Sequence, residues 1–555
     1  MLGQRQQKLG QPLDAKHVED EDRQNQRCND GSYVENATQA LPSFSLWIEE
    51  YLFIAHAAAG LADPKLYCTS RMDVYPLSQS ASKPAGGKLR CAVSFVAAIA
   101  AGTALRIWMF RHFFEVNGDA LVYGGIAKNL LLHGRYALTV GTGETYPTLI
   151  RLPGYPLFLA ACFRLFGMEN YAAAAFVQIV LELAGCILLA DLARRIAPQH
   201  LGHGAFHCTL WLAVLCPFTA VYAASPLAES PTLFAFSLVM WTAARFQERP
   251  GWGPALGFTA AVTWAALLRP EGALIAIAFA PALAVGFMRN ATAAFSARRA
   301  LRMAVACILL ALAPFALWTL RNWRVFHVLE PLAPRYATDP GESAHEGWEA
   351  WVKTWSLDFV STYEIYWNVP GDVLDVRKLP ERAFDSPAQY AETASLAADY
   401  NTGLELTPEL DARFAKLAQE RAAAHPCRSR VLLPLGRVAD MWLRPRVENL
   451  PIDLDWWVYS HHHVETRFSW AYACLNALYL LLGFAGLFLR PRMWPWMLLY
   501  ILLRSAMLLS VGAPEARYTL ECFPMLFVLG GIAFYRLMNW VLLSVLNVKA
   551  SAGSA

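Results

Sequence analysis

Residues 91–110 read CAVSFVAAIAAGTALRIWMF, and residues 171–193 read YAAAAFVQIVLELAGCILLADLA. A helix needs about 20 mostly apolar residues to cross the hydrocarbon of a bilayer, and each stretch is long enough. Working outward from them, apolar runs recur near 206–224, 228–244, 254–268, 271–288, 303–320, 469–489, 494–511 and 520–543. The runs at 254–268 and 271–288 are short and share a tip at Arg269-Pro270-Glu271. The apolar stretch 154–167 is too short to cross and reads as interfacial or re-entrant. The pattern predicts an all-α polytopic membrane protein. It has about ten transmembrane helices, interfacial helices in the first outer loop and a mostly helical extracytoplasmic domain.

Composition agrees. Of 555 residues, 56% are hydrophobic and 16% charged, with a mean hydropathy of +0.30. Soluble domains average about 45–50% apolar and roughly 25% charged. A disordered chain, a nucleic-acid binder with a basic tail and a small secreted scaffold are excluded. A net charge of +3 implies no polyanionic partner. The 11 cysteines fall mostly inside apolar runs, and no CxxC pair occurs. They read as small core residues, with neither a disulfide framework nor a zinc site. Cys427 lies outside the spans, and nothing marks it as reactive.

Lys and Arg concentrate in alternate loops: Lys83, Lys88 and Arg90; Arg194 and Arg195; Arg245 and Arg249; Arg289, Arg298, Arg299 and Arg302; Arg490 and Arg492. The short opposite tips carry single arginines, Arg269 and Arg517. By the positive-inside rule both termini are cytoplasmic. The expected parts are an N-terminal transmembrane module over 72–320, with its first outer loop at 111–170, and an extracytoplasmic segment over 321–468. C-terminal spans over 469–545 and a cytoplasmic tail over 546–555 follow. Residues 1–71 are polar, acidic early and without signal-peptide order. We expect translation to begin near Met72, with 1–71 disordered or never made; the intact mass of the native protein decides this. No solenoid or inverted repeat is legible.

In the long segment, Thr407-Pro408-Glu409 opens a soluble-type helix to Ala424, closed by His425-Pro426. Residues 435–446 read as interfacial. Trp348, Trp351 and Trp355 have helical spacing, with Trp367, Tyr363 and Tyr366 close by. They form a membrane belt or domain core, or else a stacking floor for a sugar or lipid. His461-His462-His463, with Asp453 and Asp455 upstream, cannot all face one ion from a regular element. No cofactor is called for. A divalent metal is left open and not indicated.

The first outer loop carries the chemistry. Asp119 opens a helical pattern that Gly134 closes, and Asp119 and Tyr123 share a face at i, i+4. Asp119 either caps the helix or serves as a general base at the membrane surface, and the two roles are compatible. The return, Tyr146-Pro147-Thr148-Leu149-Ile150-Arg151-Leu152-Pro153-Gly154-Tyr155-Pro156, is stiffened by prolines. Arg151 lies where a lipid phosphate would sit, or it snorkels to a headgroup.

An Asp-x-x-x-Tyr helix after the first span, followed by a Pro-Gly-Tyr-Pro-Leu-Phe-Leu-Ala return, resembles the GT-C membrane glycosyltransferases. The nearest branch holds the protein O-mannosyltransferases and the lipid A aminoarabinose transferase (glycosyltransferase family 39-like). Ser225-Pro226-Leu227-Ala228-Glu229-Ser230, Leu268-Arg269-Pro270-Glu271-Gly272, Arg321-Asn322-Trp323-Arg324-Val325-Phe326 and Pro514-Glu515-Ala516-Arg517-Tyr518 resemble later pieces of that branch, in order. The likeness covers roughly residues 90–545. It implies a sugar donor on a polyprenyl phosphate and a catalytic acid in the first loop, here Asp119. Many members carry Asp-Glu where this chain has Asp119-Ala120. Many aminoarabinose transferases carry Lys-Pro-Pro where it has Arg151-Leu152-Pro153.

The physics suits that implication. A phosphate leaving group needs fixed cations where negative charge builds up, and arginine binds its oxygens bidentately. The acceptor hydroxyl needs a carboxylate to take its proton. Candidate substrate-binding residues are Tyr123, Arg151, Tyr155, Glu229, Arg269, Glu271, Arg321, Arg517 and Tyr518. Arg269 with Glu271, and Arg517 with Glu515, are equally local salt bridges at hairpin tips. Expected partners are a polyprenyl-phosphate-linked sugar, an acceptor that is a protein, lipid or glycan, and membrane lipids; no nucleic acid. The expected location is a bacterial-type inner membrane, with the site on its extracytoplasmic face. The main rival is a transporter or flippase, which needs ionisable residues in mid-span; only Arg504 and Glu182 stand out there. A non-catalytic envelope scaffold leaves Asp119 and the outer arginines unexplained.

Overall fold

The computed structural model describes residues 85–139, 141, 143–290, 297–452, 454 and 463–552. The expected start at Met72, the segment 1–71, and Asp453, Asp455, His461 and His462 lie outside the described residues. Contacts divide the chain at Gly87: residues up to Gly87 form one unit, described only at the start of the first helix, and Lys88–Ala555 forms the other.

Helix α1 (Ala85–Phe113) leads to α2 (Asp119–His133). Helix α2 stops at Gly134, whose φ of 64° lets its N–H return to the carbonyls of Asn129 and Leu130. Strands β1 (Ala137–Thr139) and β2 (Thr145–Pro147) then pair antiparallel, Leu138 opposite Tyr146. This short hairpin is a local exception to the all-α expectation. Its three-residue strands fall below the length at which alternation is readable in sequence.

Next come α3 (Gly154–Phe166), α4 (Tyr171–Ile196), α5 (Gly202–Val214), α6 (Pro217–Ala224), α7 (Glu229–Glu248), α8 (Trp252–Leu268), α9 (Leu274–Arg289) and α10 (Ala297–Phe326). Four helices of eight residues or more follow in the long segment: α11 (Glu346–Lys353), α12 (Pro387–Asn401), α13 (Pro408–Ala424) and α14 (Leu433–Leu443). Helices α15 (His463–Phe488), α16 (Trp494–Leu508) and α17 (Phe523–Ala552) complete the chain, α17 preceded by a 3₁₀ turn, Ala516–Cys522.

Among the described residues, six helices are long and apolar enough to cross a membrane, or seven if the α5–α6 pair, bent by 54°, is one span. Length and composition thus do not by themselves confirm the expected ten. Helices α8 and α16 are short, at 17 and 15 residues. Helix α7 is long enough, but it buries Glu229, Ser230, Thr232, Ser237, Thr242 and Gln247 among α4, α8 and α9. A helix enclosed by neighbours need not be apolar all round. Helix α10 is the opposite case. It leaves Leu301, Val305, Ile308, Leu309, Leu310 and Leu312 exposed, as a helix bordering lipid does.

Helix α7 ties two charge layers together. Glu229 at its start pairs with Arg269 at 2.9 Å, and Glu248 at its end pairs with Arg195 at 2.7 Å and Arg492 at 3.3 Å. Its 20 residues, at about 1.5 Å each, separate the layers by roughly 30 Å, a hydrocarbon thickness. Midway, Arg106 of α1 pairs with Glu182 of α4 and donates to the Gly102 and Val214 carbonyls at 2.8 Å each. Val214 ends α5 at the bend, so Arg106 satisfies a carbonyl that the helix break leaves open.

In the long segment, Trp348, Trp351 and Trp355 are fully buried against Phe414 and Leu417 of α13. The tryptophan cluster is a domain core and offers no stacking floor. Trp367 and Tyr363 are half-exposed and pack on Phe359. Thr407 caps α13 through the Leu410 N–H, and α13 ends at Ala424 as its sequence signals indicate. Asp411 of α13 accepts the Gly347 and Trp348 N–H groups, capping α11 across the core.

Candidate functional site

Two glycines bring the pieces together. Gly154 starts α3 where an added Cβ would lie 2.5 Å from the Leu267 backbone, so Pro153-Gly154-Tyr155 docks against the end of α8. Gly272 sits where a Cβ would lie 2.2 Å from the Ala265 carbonyl, so the Arg269-Pro270-Glu271-Gly272 turn folds tightly back on α8. The loops bearing Arg151 and Arg269 therefore meet at one end of the bundle.

A layer of five carboxylates and four guanidiniums forms there. Asp119 accepts Arg151 Nη2 at 2.6 Å and Arg517 Nη1 at 3.4 Å. Arg517 reaches Glu515 at 2.5 Å and Glu229 at 3.5 Å. Arg269 serves Glu229 at 2.9 Å, Glu271 at 3.0 Å and Glu521 at 3.5 Å. Arg504 closes the chain on Glu271 at 3.5 Å and Glu521 at 3.3 Å. Both hairpin-tip salt bridges exist, and each also reaches across into the layer. Tyr518 bonds Glu515, and its ring lies against the Arg269 and Arg517 guanidiniums.

The layer is graded. Arg504 and Glu521 are buried at its inner side, and Asp119 and Arg151 are its most open pair, at 29% and 24% side-chain exposure. Arg151 is also the least committed cation. Asp119 is its only carboxylate among the described residues, and its buried Nε has no hydrogen-bond partner. Burial raises the Asp119 carboxyl, but Arg151 and then Arg517 outweigh it and hold it below its ordinary range. Glu515 is the reverse case: burial raises it despite Arg517. Burial pushes the Tyr123 phenol up to about 12, so it stays neutral.

Seven of the ten expected residues therefore share one layer: Asp119, Arg151, Glu229, Arg269, Glu271, Arg517 and Tyr518. Tyr123 lies beneath the Arg151 guanidinium, 5.8 Å from ring to charge. Tyr155 is fully buried, edge-on to Tyr123 and donating to Gln178 at 2.6 Å, so it supports the layer from below. Arg321 stands apart from the carboxylates. It donates to the Thr148 and Tyr136 carbonyls at 2.7 Å each and packs among the Tyr136, Trp318 and Phe326 rings. It holds the return loop.

Sequence reasoning passed over Glu521, Tyr500, Arg106 and Arg446. A lone acid at the head of an apolar run is the one signal that could have found Glu521, which Tyr500 bonds at 2.9 Å. Among the described residues, no three His, Cys, Asp or Glu side chains are grouped to hold a metal ion.

No family model and no curated protein matches the chain. Among solved structures it is similar to the archaeal oligosaccharyltransferase AglB from Archaeoglobus fulgidus, in complex with an inhibitory peptide and a dolichol-phosphate. The identity is 12% and the TM-score 0.44, over 83% of this chain. The chain spans about half that protein's length, 52%. It is also similar to ArnT from Cupriavidus metallidurans bound to undecaprenyl phosphate, at 16% identity and TM-score 0.33, over 82% of this chain and 78% of that one. The apo form of that ArnT gives 15% identity and TM-score 0.32, over 80% and 77%.

Proposed function

We propose that the chain is a membrane glycosyltransferase that moves a sugar from a polyprenyl-phosphate donor to an acceptor hydroxyl. The observation that carries this reading is the Asp119–Arg151 pair at the open edge of the charge layer. Every other arginine of the layer is held by two or more carboxylates. Arg151 has one, so it is the cation free to turn to a phosphate. Its planar fork and permanent charge suit a phosphate oxygen gaining negative charge as the sugar leaves.

That turn has a second effect. Asp119 loses its nearest cation when Arg151 engages the donor, and its proton affinity rises. The carboxylate then accepts the proton of the acceptor hydroxyl as that oxygen bonds to the sugar carbon and the carbon–phosphate oxygen bond breaks. Arg517 keeps Asp119 in place. The buried arginines and glutamates behind it set the field and stay put. In this reading the site faces the extracytoplasmic side, the orientation that the distribution of Lys and Arg favours.

The transporter alternative draws on mid-span charge, and Arg106–Glu182 is such a pair. It is fully buried, and Arg106 is also tied to two carbonyls, so it serves the helix bend.

The test is transfer from a labelled polyprenyl-phosphate sugar pool in membranes holding wild type or Asp119→Asn. Transfer by wild type that is lost in a normally expressed, folded Asp119→Asn supports the reading. Transfer that survives in the variant leaves Asp119 as a structural ion-pair partner of Arg151 and Arg517.

A further inference from the structure

The segment after α14 grips the turn that carries Arg517. Arg446 is buried, and its donors diverge onto that turn: Nη1 to the Ala516 carbonyl at 2.7 Å, and Nη2 to Thr519 Oγ1 at 2.5 Å. Its Nε reaches Asn476 Oδ1 at 3.3 Å, and the guanidinium lies 4.7 Å over the Phe523 ring. Thr519 in turn donates to the Met441 carbonyl at 3.1 Å. On the other flank, Thr362 donates to the Pro514 carbonyl at 3.1 Å. Ala516 and Thr519 bracket Arg517 and Tyr518, so a clamp on the first pair fixes the direction of the second.

We propose that Arg446 is a positioning residue: by holding Ala516 and Thr519 it aims the Arg517 guanidinium at Asp119. Arg446 acts through Arg517, which has three acids within reach. Glu515 is nearest, at 2.5 Å, while Asp119 and Glu229 are at 3.4 and 3.5 Å. A turn released from Arg446 lets Arg517 settle on Glu515 and withdraw from Asp119. Asp119 then keeps Arg151 from the return loop and feels Arg269 at longer range; Tyr123 is its titratable neighbour on α2, and Glu229 shares Arg517 with it. The clamp thus makes the long extramembrane segment a determinant of charge at the open edge of the layer. Its consequence for sugar transfer rests on the function proposed above; the clamp itself does not.

A hydrophobic carbodiimide reports on this without any assay of transfer, because it adds only to a protonated carboxyl. The full chain in lipid nanodiscs is labelled across a pH series, and the peptide carrying Asp119 is followed by mass spectrometry. In Arg446→Met the labelling midpoint of Asp119 moves up, by less than the roughly one pH unit expected for loss of the nearer Arg151. Thr519→Val, which removes one hydrogen-bond partner and leaves Arg446 in place, gives a smaller shift in the same direction. Arg446→Lys, which can still reach the Ala516 carbonyl, lies between Arg446→Met and wild type. A loss of stability alone lowers the yield of folded protein and leaves the midpoint where it was. Folded variants with an unmoved midpoint overturn the proposal; if Arg446→Met fails to fold, Thr519→Val decides. A wild type that transfers no sugar from any polyprenyl-phosphate donor overturns the function above, and the midpoint still decides the role of Arg446.

Discussion

Replacing Arg151 by Gln tests the open edge of the layer most directly. Arg151 Nη2 lies 2.6 Å from Asp119 Oδ1, and both side chains are about a quarter exposed. An opposite charge at this range lowers a carboxyl by about 1–3 pH units. Solvent access and the remaining Arg517, 3.4 Å away, put the loss of Arg151 at the low end, about one unit or ~1.4 kcal/mol. The sign follows from the direction of the shift. Asp119 sits below its ordinary value, so its ionised form persists until pH falls through that lowered value. Without Arg151 the value rises, and the acid limb of transfer at limiting donor, which reports the free protein, moves up by about one pH unit, while the limb at saturating donor, where Arg151 has already turned to the phosphate, moves less. The donor loses a charge-assisted contact worth about 1.5–3 kcal/mol, so its KM rises roughly 10- to 150-fold. Arg151→Lys keeps the charge and gives up the fork, so its limb stays near wild type while KM rises less. The assay is the pH dependence of transfer at saturating and limiting donor. An Arg151→Gln variant with an unmoved limb and an unchanged donor KM would refute the reasoning and leave Arg151 as a tie within its loop.

Other expectations concern stability and packing. Arg269→Met leaves Glu229, Glu271 and Glu521 without their shared cation and destabilises the folded protein by about 3–5 kcal/mol, read as a lowered midpoint of thermal unfolding in detergent. Arg106→Met alone costs about the same, because Glu182 and the Val214 carbonyl both lose their partner; pairing it with Glu182→Leu recovers part of the loss, and no recovery would deny that the two are coupled. Gly272→Ala forces the turn away from the Ala265 carbonyl at a cost of about 1–3 kcal/mol and lowers transfer, measured on equal amounts of folded protein. Trp351→Ala empties the core of the long segment at about 3–5 kcal/mol; a variant that keeps its stability but loses acceptor binding would restore the stacking role.

The helices were largely legible in sequence, and their number was not. Runs of apolar residues mark Tyr171–Ile196 or Ala297–Phe326 without ambiguity, because lipid or core surrounds most of each. Helix α7 is polar at many positions because its neighbours pair with those groups, and hydropathy cannot see neighbours. Charged residues at hairpin tips indicated the layer, since a lone Arg or Glu beside an apolar run must be paired or wet. The partner of each could not be read. Arg517 could be assigned to Glu515 from two residues' separation, while its reach to Asp119 and Glu229 crosses the fold. Arg321 had the right residue type in the right segment and turned out to bind carbonyls. Tyr155 was expected at the site and sits one layer beneath it.

The hold of Arg321 on the return loop also bears on time. The loop is fixed at Tyr136 and Thr148 by that guanidinium, at Leu149 by Asp339 at 2.7 Å, and at the Arg151 carbonyl by the Tyr136 hydroxyl at 2.9 Å. A segment pinned at both ends and in the middle cannot swing as a lid. Turning Arg151 then needs only its side-chain torsions, which change in picoseconds to nanoseconds, whereas loops move in nanoseconds to microseconds or slower. On the function proposed above, exchange of this cation between carboxylate and phosphate is therefore a side-chain event that needs no movement of the loop.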